Sequence, residues 1–471
     1  MVFLWEKPAP CRGISLTGLG TIKMGDIADI AAGRLSADEL SQNFKDMYPP
    51  LDPRQAGIEA SRCYFCFDAP CMEACPTGID IPNFIRKIQT ENYRGSAIDI
   101  LTENIMGGAC ARVCPTEILC EEACVRTTQE SKPVTIGKLQ RFATDWLMET
   151  GEQPFERAAS TGKKIAVIGA GPAGLSAAHR LSMLGHDVVV FEAKEKAGGL
   201  NEYGIAAYKV PNDFAQEEVN FILSLGGIEI KYGQALGKDI SLAGLKAEYD
   251  AVFFGGGLGA VRSLGLDDEN VSGVYNAVDF IAQLRQSSTK TDVPIGRKVV
   301  VIGGGNTAID MAVQAKRLGA EEVTLVYRRG PDAMSATHHE QEYAQINGVT
   351  IRHYAKPSRI LSSDGVVTGM EFEYTEIGND GKLNGTGETF TLQANMVFKA
   401  IGQVFVADPV TEEAACLEVQ DGRIVVNDDK ATSISGIYAG GDCILGGEDL
   451  TVAAVQDGKL AAHAIDKYLS A

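Results

Sequence analysis

KIAVIGAGPAGLSAAHRLSMLGHDVVVFEA, residues 164 to 193, places a glycine-rich loop between two short runs of β-branched residues. Gly169, Gly171 and Gly174 have the spacing GxGxxG, and a stretch rich in alanine and leucine follows them. In a dinucleotide site the first glycine makes the tight turn, the second admits a pyrophosphate, and the third permits close helix–strand packing. The following helix N-terminus offers N–H groups to the phosphates. The stretch therefore predicts a doubly wound α/β domain that binds a dinucleotide.

The next strand ends at Glu192, where a carboxylate can accept hydrogen bonds from ribose hydroxyls and disfavours a 2′-phosphate. This favours FAD or NAD(H) over NADP(H). The pairs GGL at 198–200 and GGD at 440–442 are expected to bring backbone near the same cleft. The residues predicted from this pattern are Gly169, Gly171, Pro172, Ala173, Gly174, Glu192, Gly199, Leu200 and Gly441.

A second unit of the same kind, KVVVIGGGNTAIDMAVQAKRLGAEEVTLVYRR, covers residues 298 to 329. Its second strand is followed by Arg328 and Arg329 instead of an acid, and guanidinium groups there suit a 2′-phosphate. This favours NADP(H) over NAD(H), although one arginine could be a solvated strand end. His338 and His339 either approach the same phosphate or are surface residues. The predicted nucleotide residues are Gly303, Gly305, Asn306, Thr307, Arg328, Arg329, Ala400 and Gly402, with Ala308 as the third position of the fingerprint.

Two dinucleotide sites of opposite ribose preference indicate one flavin and one nicotinamide cofactor. The protein promotes hydride transfer between them by holding the two in position. That step needs no acid–base residue, so we predict no catalytic side chain. Strand candidates at 251–256, 396–403 and 436–443 complete the sheets. We expect an FAD domain at 161–290 and 400–471, with an NAD(P)H domain at 291–399 inserted into it.

The remaining N-terminal part, residues 1–160, is expected to be a small helical domain, joined by a polar linker at 149–164. Eight of the eleven cysteines fall between Cys63 and Cys124. In the segment RCYFCFDAPCMEACPTGIDI, 62–81, their spacing resembles a ferredoxin run with two extra residues. Cys11, Cys416 and Cys443 lie outside and are interpreted as incidental thiols.

Structural zinc and disulfides are the rival interpretations of these cysteines. Iron–sulfur clusters are favoured because a hydride-accepting flavin must pass electrons on singly, which zinc cannot do. Spacing alone assigns four of the eight cysteines to each of two [4Fe-4S] clusters. It does not say which four belong together.

The formal net charge of −19, from 43 basic and 62 acidic residues, argues against nucleic acid or an anionic membrane as a partner. No apolar run is long enough to span a bilayer, and the start MVFLWEKPAPCRG does not have the pattern of a secretory signal. We therefore expect a cytoplasmic protein.

The cysteine groups together with GAGPAG, GGGNTAID and GIYAGGDC resemble the N-terminal half of dihydropyrimidine dehydrogenase and its bacterial NAD(P)H-oxidising subunit. The chain is also similar to the small subunit of glutamate synthase. The resemblance implies that Lys209 and Asp442 contact the flavin, with Asp442 at the ribityl chain. It places one cluster on Cys63, Cys66, Cys71 and Cys124, and the other on Cys75, Cys114, Cys120 and Gln140, which leaves Cys110 unligated. Ser335 stands where the family has a further basic residue, which keeps NADH in consideration.

In that family the pyrimidine is reduced at an FMN in a β/α barrel, which this sequence does not contain. The resemblance implies an electron-input subunit that passes electrons from NAD(P)H to an FMN-containing partner reducing uracil or thymine. The CPTEILCEEAC spacing and Gln140 favour this branch. The alternatives are an electron donor to glutamate synthase and a zinc-stabilised, nucleotide-sensing interaction module. Residues 1–45 have no assigned role, apart from a helix predicted in LSADELSQNFKDM at 35–47.

Overall fold

The computed structural model describes residues 29–411 and 416–470, so Cys11 lies outside the described chain. The helices, in chain order, are α1 (Ala37–Asn43), α2 (Pro53–Ala60), α3 (Pro70–Glu73), α4 (Ile81–Gln89), α5 (Tyr93–Glu103), α6 (Gly107–Val113), α7 (Val125–Glu130), α8 (Ile136–Thr150), α9 (Pro172–Met183), α10 (Leu200–Tyr203), α11 (Phe214–Leu223), α12 (Leu242–Glu248), α13 (Ala277–Gln286), α14 (Asn306–Arg317), α15 (His338–Ile346) and α16 (Thr451–Ser470). Short 3₁₀ turns cover Thr116–Ile118, Lys290–Asp292, Pro331–Ala333 and Asp408–Val410. Among the described helices, none has both the length and the apolar content that a membrane crossing needs.

The cysteine-rich part of the chain folds as short helices, α2 to α8, with the cysteine loops between them. In α4 the apolar residues Ile81, Phe84, Ile85 and Ile88 recur at spacings of three and four, and all four are buried. The helix ends before Asn92, whose side chain accepts a hydrogen bond from the backbone of the next helix and caps α5. The predicted helical domain is therefore present, as several short helices around one core.

The first glycine loop belongs to a five-stranded parallel sheet. Its strand order is Ile437–Ala439, Ala251–Phe254, Lys164–Ile168, Asp187–Glu192 and Ile228–Tyr232. Val167 is paired with Phe253 on one side and Val190 on the other, and all three side chains are fully buried. Parallel strands covered on both faces are expected to be continuously apolar, as the central strands Lys164–Ile168 and Ala251–Phe254 almost entirely are.

The C-terminal part of the chain returns to this first unit and completes it. Strand Ile437–Ala439 joins the sheet beside Ala251–Phe254, and α16 packs along α9. A Cβ on Gly458 would lie 2.2 Å from the carbonyl oxygen of Ala173, so the two helices approach each other through glycine. The predicted insertion of the second nucleotide unit into the first is confirmed.

The second unit is also a five-stranded parallel sheet. Its strand order is Thr350–Arg352, Glu322–Val326, Lys298–Ile302, Met396–Lys399 and Val274–Asn276. An antiparallel sheet of three strands extends from it, formed by Ala355–Ser363, Val366–Ile377 and Leu383–Gln393. Two-stranded ladders pair Ile30–Ala31 with Ile295–Gly296, Ala260–Val261 with Gln403–Val404, and Val419–Gln420 with Arg423–Ile424.

Two boundaries differ from those drawn on the sequence. The second sheet begins with Val274–Asn276, which the sequence analysis gave to the first unit. The predicted N-terminal helix is present as α1, but its Leu40 and Phe44 pack into the core of the second unit instead of the helical domain. Both differences have one cause. The strand pairs with, and the helix packs against, elements that are distant in sequence, and a local sequence pattern cannot identify these.

A short segment between α10 and α11 joins the two nucleotide units. Tyr208 is fully buried in the core of the second unit, although it belongs in sequence to the first. The backbone N–H of Ala206 donates to Asp310 on α14 at 3.1 Å, and that of Ala207 donates to Gln314 at 3.0 Å. This segment therefore fixes the orientation of one sheet against the other.

Replacing Tyr208 tests this junction. Tyr208→Ala should lower stability by about 3–5 kcal/mol, because it removes a large side chain from a packed core. Differential scanning calorimetry would detect the loss as a lower unfolding temperature of the nucleotide domains. Tyr232→Ala, at a side chain that is 43% exposed, is the matched control. Equal thermal midpoints for the two variants would contradict the role of Tyr208 in joining the two units.

Candidate functional site

The first glycine loop is tight enough for a pyrophosphate site. Gly169 has φ +91°, a left-handed value that favours glycine. A Cβ on Gly174 would lie 1.9 Å from the Gly169 carbonyl oxygen, so no side chain fits there. Glu192 accepts hydrogen bonds from the backbone N–H groups of Ala170 and Lys194, both at 2.8 Å. Its carboxylate is thereby fixed beside the loop, where it fits the ribose of an adenine dinucleotide.

The opposite side of this loop is formed by two further glycine turns. A Cβ on Gly199, whose φ is +56°, would lie 2.7 Å from Cα of Gly171. The backbone N–H of Gly441 donates to Asp457 at 2.9 Å. Burial, with Asp449 adding to it, raises the pKa of Asp442 to about 6. A buried polar group needs a partner, and the hydroxyl groups of a flavin side chain would supply one.

The second glycine loop repeats this geometry. Gly303 has φ +150°, and a Cβ there would lie 2.1 Å from the carbonyl oxygen of Ala400. The Ser335 hydroxyl lies beside Gly305. Arg328 and Arg329 follow the strand Glu322–Val326 and are exposed, and neither forms an ion pair with another described residue. Both guanidinium groups are thus available to a ligand.

The first glycine loop, together with Asn306 and Thr307 that follow the second loop, lines one large cleft of about 2060 Å³. The predicted residues that line it are Gly169, Gly171, Pro172, Ala173, Glu192, Gly199, Leu200, Lys209, Asn306, Thr307, Gly441 and Asp442. The predicted residues outside its lining are Gly174, Gly303, Gly305, Arg328, Arg329, Ala400 and Gly402. One cleft of this size can hold two dinucleotides side by side, as hydride transfer requires.

A third wall of the cleft comes from the helical domain. Arg112, Cys114, Pro115 and Glu117 line the same space as the first glycine loop. Sequence reasoning missed this wall, because nothing in the pattern of residues 112–117 states what they pack against. One of the predicted cluster ligands therefore stands at the edge of the nucleotide cleft.

Lys209 is paired with two carboxylates inside the cleft. Its Nζ lies 2.8 Å from Asp310 and 2.7 Å from Glu340, both in the second unit. Burial opposes the charge of the lysine, but the two carboxylates outweigh it and hold the pKa of Lys209 above its usual value. Asp310 and Glu340 were not predicted. Asp310 lies in GGGNTAID, where the motif was interpreted only for its phosphate loop.

The first predicted group of thiols surrounds a separate small cavity of about 30 Å³. Its cysteines are Cys63, Cys66, Cys71 and Cys124. The rest of the lining is mostly apolar, with residues such as Ile81 and Ile136, and Arg126 adds one positive charge. Burial, followed by the neighbouring Cys63 and Cys124 thiols, raises the pKa of Cys71 to about 12. A positive cluster is what would keep such thiols deprotonated, so the donor set fits one.

The second group lies between this cavity and the cleft. Burial raises the pKa of the Cys114 thiol well above its usual range, and the neighbouring Cys110, Cys120 and Cys75 thiols raise it further. Cys71 of the first group is near enough to raise the pKa of Cys120. The structure therefore orders the sites as cleft, second group, first group.

Gln140 and Cys110 are the two candidates for the fourth ligand of the second cluster. The Gln140 side chain donates from Nε2 to the Gly107 carbonyl oxygen at 2.7 Å, which turns its amide oxygen away from that contact. Cys110 is buried on α6, with the Asn104 side chain as its hydrogen-bonding neighbour. Cys110 lies near Cys114, whereas Gln140 is bonded to Gly107, and the choice of fourth ligand stays a prediction.

None of the described cysteines forms a disulfide, and Cys443 is buried while Cys416 is exposed. Within residues 29–411 and 416–470, no three histidine, cysteine, aspartate or glutamate side chains converge as they would around one metal ion. His339 contacts Tyr48 of the N-terminal segment, and His338 forms an exposed contact with Asp332.

Two protein families match the chain. Residues 40–152 match the family described as "Dihydroprymidine dehydrogenase domain II, 4Fe-4S cluster". Residues 163–458 match the family described as "Pyridine nucleotide-disulphide oxidoreductase". With the cleft and its thiol wall, these matches define the class of protein: an NAD(P)H-dependent iron–sulfur flavoprotein oxidoreductase. Its cofactors are FAD, NAD(P)(H) and [4Fe-4S] iron–sulfur.

The chain belongs to the family of dihydropyrimidine dehydrogenase subunits and glutamate synthase small chains. It is 38% identical over 91% of its length to the NAD-dependent dihydropyrimidine dehydrogenase subunit PreT of Salmonella typhimurium, covering 98% of that protein. It is 36% identical, with the same coverage, to PreT of Escherichia coli K12. The glutamate synthase [NADPH] small chain of Escherichia coli K12 is 34% identical over 90% of this chain and 94% of its own length. The predicted resemblance is confirmed.

Solved structures support the fold. FprA of Mycobacterium tuberculosis in complex with NADPH matches with a TM-score of 0.55 and 20% identity, over 65% of this chain and 85% of FprA. The thioredoxin reductase of T. acidophilum matches with a TM-score of 0.50 and 19% identity, over 66% of this chain and all of that one. The predicted arrangement of two nucleotide-binding domains is confirmed.

Gly174→Ala should abolish flavin retention, because the added methyl group would lie against a backbone oxygen that cannot move without opening the loop. The absorption spectrum of the purified protein measures the flavin content directly. Gly57→Ala in α2 is the control, since a Cβ there has no neighbour within 4 Å. A fully yellow Gly174→Ala protein would disprove the role given to this loop.

Proposed function

We propose that this chain is the electron-input subunit of a dihydropyrimidine dehydrogenase. It oxidises NAD(P)H at FAD and passes electrons through two [4Fe-4S] clusters to an FMN-containing β/α-barrel partner, which reduces uracil or thymine to the 5,6-dihydro base. The observation that carries the proposal is the position of Cys114, which lines the nucleotide cleft and also belongs to the second group of thiols. The PreT relatives, matched over almost their whole length, support this branch of the family.

Bound FAD would supply a hydride acceptor that can pass electrons on singly. The protein supplies position and surroundings for that chemistry. The two glycine loops hold the pyrophosphates, and Glu192 and Asp442 hold the sugar hydroxyls. Pro115 and Glu117 form the wall of the cleft that belongs to the helical domain.

The proposed relay runs outward from the cleft. Its first site is Cys75, Cys114, Cys120 and Gln140, and its second is Cys63, Cys66, Cys71 and Cys124. The loop of the outer site reaches the surface at Phe67, which is fully exposed between Cys66 and Cys71. Tyr64, 49% exposed, lies on the same loop under the guanidinium of Arg126, at 3.9 Å from the ring centroid. Exposed aromatic residues of this kind are typical of interfaces, so we place the partner there.

For the nicotinamide cofactor we propose NADPH. Arg328 and Arg329 stand free where a 2′-phosphate would lie, and no acid replaces them. The PreT relatives are named NAD-dependent. Ser335 stands where the family pattern has a basic residue, so one contact to a 2′-phosphate is missing. Some activity with NADH is therefore expected as well.

We place the protein in the cytoplasm, where reducing conditions keep the cluster cysteines from forming disulfides. The second candidate function is electron donation to a glutamate synthase, which the 34% identity to the Escherichia coli small chain favours. The zinc-stabilised sensing module is set aside, because the matched family carries a 4Fe-4S cluster.

Anaerobic titration tests the proposed function. Addition of NADPH, and less effectively NADH, should bleach the flavin and produce the electron paramagnetic resonance signals of two reduced clusters. Adding an FMN-containing catalytic subunit and uracil should then reoxidise the protein and form dihydrouracil. Turnover with a glutamate synthase large subunit but not with the FMN subunit would select the second candidate. Zinc in place of iron would refute both.

Cysteine variants test the assignment of cluster ligands. Cys66→Ser and Cys120→Ser should each lose one cluster, about half of the iron, because a hydroxyl group is a poor ligand for Fe–S. Cys110→Ser should keep both clusters, since its partner is Asn104. Iron analysis and the spectrum of the dithionite-reduced protein measure the result. Loss of a cluster in Cys110→Ser would show that this thiol, and not Gln140, completes the second site.

A further inference from the structure

The start of helix α15 contacts three separate parts of the chain. Its N-cap residue Thr337 donates from Oγ1 to Glu117 Oε1 of the helical domain at 2.6 Å. Two residues later, His339 is hydrogen-bonded to Tyr48 of the N-terminal segment, and their rings stack at 6.0 Å with an interplanar angle of 20°. Glu340 then pairs with Lys209 of the flavin unit. We call Thr337–Glu340 the α15 turn.

The same turn ends the loop that follows the nicotinamide strand. That loop begins at Arg328 and Arg329, where the ribose end of the nucleotide is expected, and it passes Ser335 beside the phosphate loop. One end of the loop therefore faces the nucleotide. The other end is held by the wall that carries Cys114, since Glu117 is part of that wall.

We propose that the α15 turn is a positioning contact, which sets the gap between the nicotinamide unit and the flavin by fixing the former against the iron–sulfur domain. Tyr48, Glu117 and Thr337 act as positioning residues in this role. The inference rests on the oxidation of NAD(P)H at the flavin and not on which partner receives the electrons.

The physical reason is the steep dependence of hydride transfer on distance. A displacement of about 1 Å in a reacting pair can cost about 100-fold in rate. The segment around Tyr208 fixes the two nucleotide units at one end of the cleft. The α15 turn is joined to this segment by the Glu340–Lys209 pair and extends the junction to Glu117 of the helical domain, so the nicotinamide unit is held against two domains instead of one.

Thr337→Asp isolates the contact. Aspartate is an N-cap residue at least as good as threonine, so α15 keeps its cap, while the new carboxylate repels Glu117. Tyr48→Phe, added to it, removes the hydrogen bond to His339 and keeps the ring. Adding Glu117→Gln to Thr337→Asp should restore the contact, because the glutamine amide can donate to the aspartate. Asp332→Asn, which alters only an exposed contact with His338 on the same turn, is the matched control.

Stopped-flow reduction by saturating NADPH should show the limiting rate of flavin bleaching about 10- to 100-fold lower in Thr337→Asp with Tyr48→Phe. The dissociation constant of NADP⁺ and the iron content should stay unchanged, and Glu117→Gln should recover the rate in the Thr337→Asp protein. Hydrogen exchange at the amide of Gln341, which donates to the Thr337 carbonyl oxygen at 3.0 Å, should be faster without any nucleotide, since the turn has lost its anchors.

Three results would overturn the inference. The first is a limiting rate of flavin bleaching and a hydrogen-exchange pattern equal to those of the Asp332→Asn control. The second is a rise in the NADP⁺ dissociation constant that accounts for the slower reduction, which would make the turn part of the nucleotide site. The third is loss of iron with the contact, which would give it a purely structural role. None of them depends on a partner, so the proposed pyrimidine function could fail while this inference stands.

Discussion

Hydride transfer requires two nucleotides to meet within about 3–3.5 Å, although two separately folded sheets hold them. In this protein the segment Ile205–Val210 ties together the two sheets on whose relative position that distance depends. Arg285 of α13 donates to the carbonyl oxygens of Ile205 and Val210, at 3.2 and 3.3 Å. Tyr208 fills the core of the second unit, and Lys209 pairs with its carboxylates. A buried ion pair by itself is weak evidence of stability, but with buried tyrosine and backbone contacts around it the pair defines one orientation of the two units.

Everything else in the functional region depends on this fixed cleft. The helical domain forms a third wall of this cleft, and that wall carries Cys114. Burial raises the pKa values of Cys71 and Cys114, so both thiols favour the protonated state until a metal cluster binds. Cluster assembly and the folding of this domain are therefore coupled.

Much of the fold could be predicted from local pattern. Strands such as Lys164–Ile168 and Lys298–Ile302 are buried on both faces, so their apolar runs and glycine loops identify them without further information. Gly174 and Gly303 were recognised because their roles are steric and local. Asp310, Glu340 and Glu117 were missed because their roles depend on packing between domains. The same reason explains α1, which has a clear capping box at Ser36 and Glu39 but no local sign of the unit it packs against.

The path of the chain through its domains imposes an order on biosynthesis. The cysteine loops leave the ribosome long before α16, yet α16 supplies the helix that packs on the flavin loop through Gly458 and Ala173. Domains generally fold as they emerge, so the iron–sulfur domain must wait with a bare face until the nucleotide units close over it. Cys114, which lines the cleft on that face, is therefore more accessible in the nascent chain than in the finished protein.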